Sequence, residues 1–337
     1  MSRPRRAYLI AVLFLLVALL SGALAGAADL RPLDTISALL SRIPFLPVHS
    51  GLSPVNDAVL FQIRLPRVVL GALVGALLAL AGAGYQGVFR NPLVDAGLLG
   101  SSAGAGLGAT IAIVYLGGSG GAAVPTAAFA GALAGVAVAY AAGAASGAGT
   151  ANLLLAGLAV GMFLTAVQTY LLQRSTQDLQ QVYSWLLGSL SAASWHQALQ
   201  ILPYFCVSLL MILPHGRHLD VLSVGDQEAR ALGSQPARIR LLVVAGCSLA
   251  AATAVAVGGL IGFVGIIVPH AVRRLAGTSY RAVLPLSVLF GAGFLVLADT
   301  LARTALAPAE LPIGVVTALI GSPVFVWILR ATRAVRT

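Results

Sequence analysis

RLPRVVLGALVGALLALAGAGYQGVFRNPL, residues 64–93, decides the fold class, because no charge interrupts it between Arg67 and Arg90. As a helix, about 20 such residues rise far enough to cross a ~30 Å hydrocarbon core. Working outward, stretches of the same kind recur along the chain. They predict helices near 7–26, 66–85, 96–116, 122–144, 152–172, 195–213, 241–257, 260–271, 283–302 and 312–330. Apolar residues make up 59% of the 337, charged residues 9%, and mean hydropathy is +0.96, outside the range of a soluble domain. The longest polar candidates, 27–63 and 174–194, are too short or too apolar to form a soluble domain. The expectation is therefore an all-α polytopic membrane protein, with residues 1–337 forming one membrane domain of about ten spans.

Arg3, Arg5 and Arg6 precede the apolar run Ala7–Leu20, as in a cleavable signal peptide. Because that run continues to about Ala28, it is expected to be a retained first span with its basic end in the cytoplasm. An even number of spans puts both termini on one side. Roughly 14 arginines fall on that side against roughly six on the other, which makes it cytoplasmic. The cytoplasmic group includes Arg90, Arg217–Arg240, Arg273, Arg274, Arg281 and Arg330–Arg336. Arg64, Arg67, Arg174 and Arg303 at outer helix ends, with Arg31 and Arg42 in the first outer loop, run against the rule. Either these side chains snorkel to the interface, or something outside requires positive charge.

The net charge is +10, and all 20 basic residues are arginine. Without a lysine the chain cannot build a G-x-x-x-x-G-K-[ST] phosphate loop, so any ATP hydrolysis belongs to another subunit. The arginines are scattered at helix ends rather than gathered into a nucleic-acid patch. Cys206 and Cys247 lie inside apolar stretches and read as lipid-side or core fillers. His49, His196, His215, His218 and His270 show no metal-ligand spacing, and no paired carboxylates suggest acid–base catalysis. No catalytic set, metal site or cofactor is expected. Asp95, Asp299 and Glu310 sit at helix ends rather than at a bilayer midplane, which disfavours an ion-coupled carrier. Asp299 is one turn from Arg303 and placed to pair with it.

Gly71-x-x-x-Gly75, Gly131-x-x-x-Gly135 and the run Gly100–Gly108 read as close helix contacts. Segment 174–194 is amphipathic and carries Tyr183 and Trp185, which predicts an outer interfacial helix or, alternatively, a re-entrant piece lining a pore. The polar loop 215–240 is expected in the cytoplasm. Within it Asp226 can cap a short helix ending at Gly233. Ala229 and Leu232 would share one side of that helix, with Leu222 just ahead, suited to a groove in a cytoplasmic partner.

These residues together resemble the FecCD family of ABC importer permeases, over nearly the whole chain. The resemblance rests on Arg64-Leu-Pro-Arg67, Gln86-Gly-Val-Phe-Arg-Asn-Pro-Leu93, Gly97-Leu-Leu-Gly100, Leu153-Leu-Leu-Ala-Gly157, Trp185-Leu-Leu-Gly-Ser-Leu190 and Glu228-Ala-Arg-Ala-Leu-Gly233. Gly262-Phe-Val-Gly-Ile-Ile-Val-Pro-His270, Leu297-Ala-Asp-x-x-Ala-Arg303 and Glu310-Leu-Pro-Ile-Gly314 complete it in the same order. It implies a ten-helix permease in the bacterial cytoplasmic membrane. Two copies would form a homodimer with the path at their interface, served by two cytoplasmic ABC ATPases and an extracytoplasmic substrate-binding protein. By the same resemblance, Arg64, Arg67 and Arg303 would meet acidic residues of the binding protein. Ser223, Gly225, Asp226, Glu228, Ala229, Arg230 and Gly233 would form the ATPase coupling element, and Asn91, Leu93, Thr150 and Ala151 would line the inner gate. Ala151 departs from the polar residue sometimes found at that position. A ferric siderophore is the first expected cargo, with haem and cobalamin behind it. A secondary carrier and a channel are the rival classes.

Overall fold

The computed structural model describes residues 3–333 apart from 27, 29, 46, 118–120, 147, 148 and 176. Arg336 and the side chains of Arg3, Arg330 and Arg333, counted above as cytoplasmic, lie outside the described residues. The helices run in the order α1 Arg3–Leu24, α2 Pro32–Ser41, α3 Pro54–Ala58, α4 Leu65–Phe89, α5 Ser101–Tyr115, α6 Ala123–Ala145, α7 Thr150–Arg174 and α8 Leu179–Leu186. They continue as α9 Trp195–Ile212, α10 Gly216–Leu222, α11 Asp226–Ala231, α12 Pro236–Gly258, α13 Val264–Ala276, α14 Tyr280–Thr304 and α15 Ile313–Arg333. Each of the ten expected spans coincides with one of these. Among the described residues seven helical runs are long and apolar enough to cross a membrane, α5 and the stretch Ile313–Val326 of α15 are shorter apolar segments, and α13 has 13 residues.

The stretch that decided the fold class becomes the central pin. A π-type turn, Val59–Arg64, joins α3 to α4, so the helical run extends well beyond the expected 66–85. Around α4 pack α14, α12, α13 and α9. Glycine allows this closeness, because a Cβ at Gly75 would collide with the carbonyl of Gly291 in α14, and one at Gly82 with the backbone of Gly265 in α13. Gly104 and Gly131 likewise bring α5 against α6. α1 packs along α14, with Phe14 and Phe290 ring centroids 5.4 Å apart. Of the cysteines, Cys247 fills the core beside Gly84 and Cys206 is exposed on α9.

Segment 174–194, expected as an outer interfacial helix or a re-entrant piece, forms α8 and the turn that follows it. α8 is followed by a stretch that dips into the bundle. There Ser189 donates its N–H to the Gly258 carbonyl at 3.0 Å, and Gly188 accepts from Ile313 at 3.1 Å. Buried Leu190 packs on Gly71, and Gly258 faces Val74. Val74 is nine residues into α4, so the dip reaches about 13 Å below Leu65. α12 ends at this same level in Gly258 and the chain runs unwound to α13.

Candidate functional site: two charged ends and an open helix face

At one end of the bundle, termed here the Arg67 end, the three arginines expected to face a docked protein are all buried. Arg64 closes the π-type turn and sends its guanidinium over Gly26. There Nη1 donates to the carbonyls of Ala23 (3.1 Å) and Leu24 (3.0 Å), and Nη2 to Ala28 (2.7 Å). These carbonyls lie at and just beyond the C-terminus of α1, where a helix has no partners of its own, and a cation there also meets the negative end of the dipole. Arg303 reaches the same helix end, donating to the Gly22 carbonyl. Its Nε lies 3.5 Å from Asp299, the expected i, i+4 ion pair.

Arg67 makes the stronger pairing with Asp299. Its Nε and Nη2 donate to Asp299 Oδ1 at 2.9 and 2.8 Å, while Nη1 and Nη2 reach Glu310 Oε1 and Oε2 at 2.8 and 3.0 Å. Asp299 is 2% exposed and the Glu310 side chain 36%. Three guanidinium groups against two carboxylates leave one positive charge in excess. Arg64, Arg67 and Arg303, expected to meet a docked protein, are thus held by groups of their own chain. Their partners are internal, and only Glu310 is within easy reach of solvent.

The opposite end, termed the Arg240 end, is built from the polar loop. Asp220 accepts from Ser279 Oγ and from the N–H of Tyr280, both at 2.7 Å, and so caps α14. Ser223 is exposed and donates its hydroxyl to the Asp220 carbonyl at 2.6 Å. Asp226 opens α11 but does not cap it with its side chain. Instead it pairs with Arg240 at 3.0 Å and lies 3.6 Å from Arg90. Partial burial pushes the Asp226 carboxyl up, yet the hydrogen bond and charge of Arg240, with Arg90 and Arg230 nearby, hold it below the usual carboxylate range.

Gly225 (φ +133°) leaves room for the Glu228 carboxylate, and Gly233 (φ +79°) ends α11 in the left-handed region, as expected. Ala229 and Leu222 are buried within this chain, correcting their placement on a partner-facing side. Leu232 and Val224, 69% and 60% exposed, present the apolar surface, with Glu228 and Arg230 exposed beside them. Val224 was missed, although its place between Ser223 and Gly225 at a helix junction marks it.

Of the gate residues, Asn91 accepts from the Leu93 N–H at 2.9 Å in the loop after α4, and Leu93 is 43% exposed. Thr150 and Ala151 open α7. The two pairs share no hydrogen bond among the described residues. They are linked through packing, since Gly157 of α7 sits on Leu98 and Leu99 of the same loop. From Ala151 an exposed stripe continues through Leu155, Leu158, Met162, Thr165 and Thr169, the i, i+3, i+4 spacing of one helix face. That stripe was missed too, because burial rather than hydropathy distinguishes it.

The family model described as the FecCD transport family matches residues 12–331. An uncharacterized ABC transporter permease protein of Bacillus subtilis, YvrB, is 38% identical over 96% of this chain and 93% of its own length. The cobalamin import system permease protein BtuC of Halobacterium salinarum is 43% identical, covering 84% of this chain and 76% of its own. The Escherichia coli vitamin B12 import system permease protein BtuC is 39% identical over 82% of this chain and 85% of its own. A solved ABC transporter of metal-chelate type in an inward-facing conformation superposes with a TM-score of 0.77 at 33% identity, covering 89% of this chain and 96% of that one.

Proposed function

The chain belongs to the FecCD transport family, and from that premise we propose that it is the permease subunit of an ABC importer carrying a metal chelate across the bacterial cytoplasmic membrane. Both termini lie in the cytoplasm in this reading, the Arg67 end faces out and the Arg240 end faces in. Cobalamin, named in the BtuC relatives, comes first among cargoes to test, ahead of the ferric siderophore expected from sequence and of haem.

The observation that carries the mechanism is the open face of α7. Only 11% of the most apolar stretch of this 25-residue helix is buried, and its exposed stripe mixes Leu155, Leu158 and Met162 with Thr165 and Thr169. Such a face suits a second copy and a passage between the two, with Asn91, Leu93, Thr150 and Ala151 at its inner mouth. Weak, mixed contacts favour release over retention, as alternating access requires. A cytoplasmic ATPase would seat on Val224, Glu228, Arg230 and Leu232, with Ser223, Gly225, Asp226, Ala229 and Gly233 shaping that element. A binding protein would dock over Arg64, Arg67 and Arg303, where an incoming carboxylate can exchange with exposed Glu310 for Arg67 and answer the excess positive charge.

Reconstitution in vesicles tests this. Uptake of labelled cobalamin or ferric siderophore should require both ATP and the binding protein, and Glu228→Arg should abolish it while leaving the permease folded. Leu158→Cys in a Cys206→Ser background should form a disulfide-linked dimer. Uptake without ATPase subunits would sink the importer reading, and absence of the cross-link would remove the α7 interface.

A further inference from the structure

A cavity of about 1160 Å³ opens between α6, α8, α9 and α12, and no residue of α7 or α15 lines it. It is therefore distinct from the path proposed above. Gly84 meets both Cys247 and Ile212, which places these residues at one level. Tyr204 is eight residues from Ile212 along α9 and so lies about 12 Å nearer the Arg67 end, level with the middle of α4. There Tyr204 and Phe129 meet with ring centroids 5.3 Å apart and form part of the lining. The cavity thus reaches from the Arg67 end to mid-bundle.

Its walls set polar side chains among apolar ones, where contact with lipid alone would call for apolar residues throughout. α9 divides its faces, with Leu199, Leu202 and Leu210 exposed away from the cavity, whereas His196, Gln197 and Gln200 line it. α8 contributes Gln180, Gln181 and Ser184. Polar side chains facing hydrocarbon would lose hydrogen bonds they can make with water or a polar ligand. No Asp, Glu, Lys or Arg lines the cavity among the described residues, although arginines and acids crowd the same end of the bundle. Carboxamides and hydroxyls both donate and accept, and Trp185, Phe129 and Tyr204 add flat apolar surface.

We propose that this cavity is a water-accessible site for a neutral, polyhydroxylated group of glycosyl type, supplied either as a free sugar or as the headgroup of a glycolipid. Amide and hydroxyl side chains satisfy the hydroxyls, the aromatic rings cover the C–H face of the ring, and the absence of fixed charge selects against ionic solutes.

The test uses the full-length permease in nanodiscs, in a Cys206→Ser background, with Gln200→Cys and separately Ser184→Cys as reporters on opposite walls. A membrane-impermeant maleimide should label both. Maltose, or monogalactosyl diacylglycerol built into the disc, should slow labelling several-fold, and whichever protects identifies the source. Gluconate, the anionic control, should not protect. In Gln181→Ala/Gln197→Ala protection should need at least tenfold more probe. Absence of labelling at both reporters would overturn the aqueous cavity. Labelling indifferent to both neutral probes, or slowed equally by gluconate, would overturn the ligand.

Discussion

α4 and α7 have the same length, 25 residues, and both are strongly apolar, yet they meet opposite fates. In the run containing α4, 83% of the most apolar stretch is buried; in α7 the figure is 11%. Hydropathy therefore says that a helix leaves water, but not what it leaves water for. The difference lies in what the neighbours offer. Gly75 and Gly82 on α4 face Gly291 and Gly265, so backbones meet directly, whereas the nearest atoms to a Cβ at Gly161 of α7 are 4.0 Å away. Close backbone contact gains dispersion and excludes lipid, while an open face remains available to another chain.

The largest effect should separate the two helices at their glycines. Gly75→Leu forces a side chain into the Gly291 backbone, and no monodisperse permease should be recovered by size-exclusion chromatography. Gly161→Ala meets only ordinary contacts and exchanges a glycine for a better helix former, worth about 0.5–1 kcal/mol, so its thermal unfolding should occur at or above the wild-type temperature. A well-folded Gly75→Leu protein would break the distinction.

A smaller effect is expected at the ends of the same helices. Asp299→Ala leaves Arg67 with Glu310 alone and Arg303 with no carboxylate in a buried site, which should cost about 3–5 kcal/mol in unfolding measurements. Arg174→Ala, at the exposed end of α7, removes a guanidinium 5.6 Å from the Tyr170 ring, worth about 0.5–1 kcal/mol. Equal losses would show that the Arg67 end is no more rigid than the end of α7.

The smallest contrast is a single hydroxyl. Ser248 donates to the Val244 carbonyl, so the Tyr85 hydroxyl donates to Ser248 Oγ at 2.8 Å. Tyr85→Phe on α4 should cost about 1 kcal/mol, and Tyr170→Phe on exposed α7 nothing measurable. Parallel thermal melts of the two variants would sharpen how far the core of α4 depends on polar satisfaction.

The ten main apolar helices were legible because a long run of apolar residues carries its own instruction to leave water. The i, i+4 pair of Asp299 and Arg303 was legible for the same local reason. The role of Arg67 was not, since Glu310 lies 243 positions away and Asp299 232. Arg64 and Arg303 showed the same limit, because their acceptors are carbonyls at the end of α1, which no sequence pattern announces. Segment 174–194 presented an amphipathic pattern read as an outer interfacial helix or a re-entrant piece; the packing of Leu190 on Gly71 and the backbone bonds of Gly188 and Ser189 to Ile313 and Gly258 join residues distant in sequence and were not legible in it.

By itself, then, the sequence determined an apolar helical chain suited to a membrane, the places of its ten main apolar helices and, through its ordered motifs, its family. Each of these depends on local composition or on residues in series. Only the tertiary structure decided which apolar helix became the pin and which stayed open, and which arginines were already paired. Those outcomes depend on contacts between residues distant in the chain, and a buried charge or a bare glycine takes its meaning from whatever group the fold brings against it.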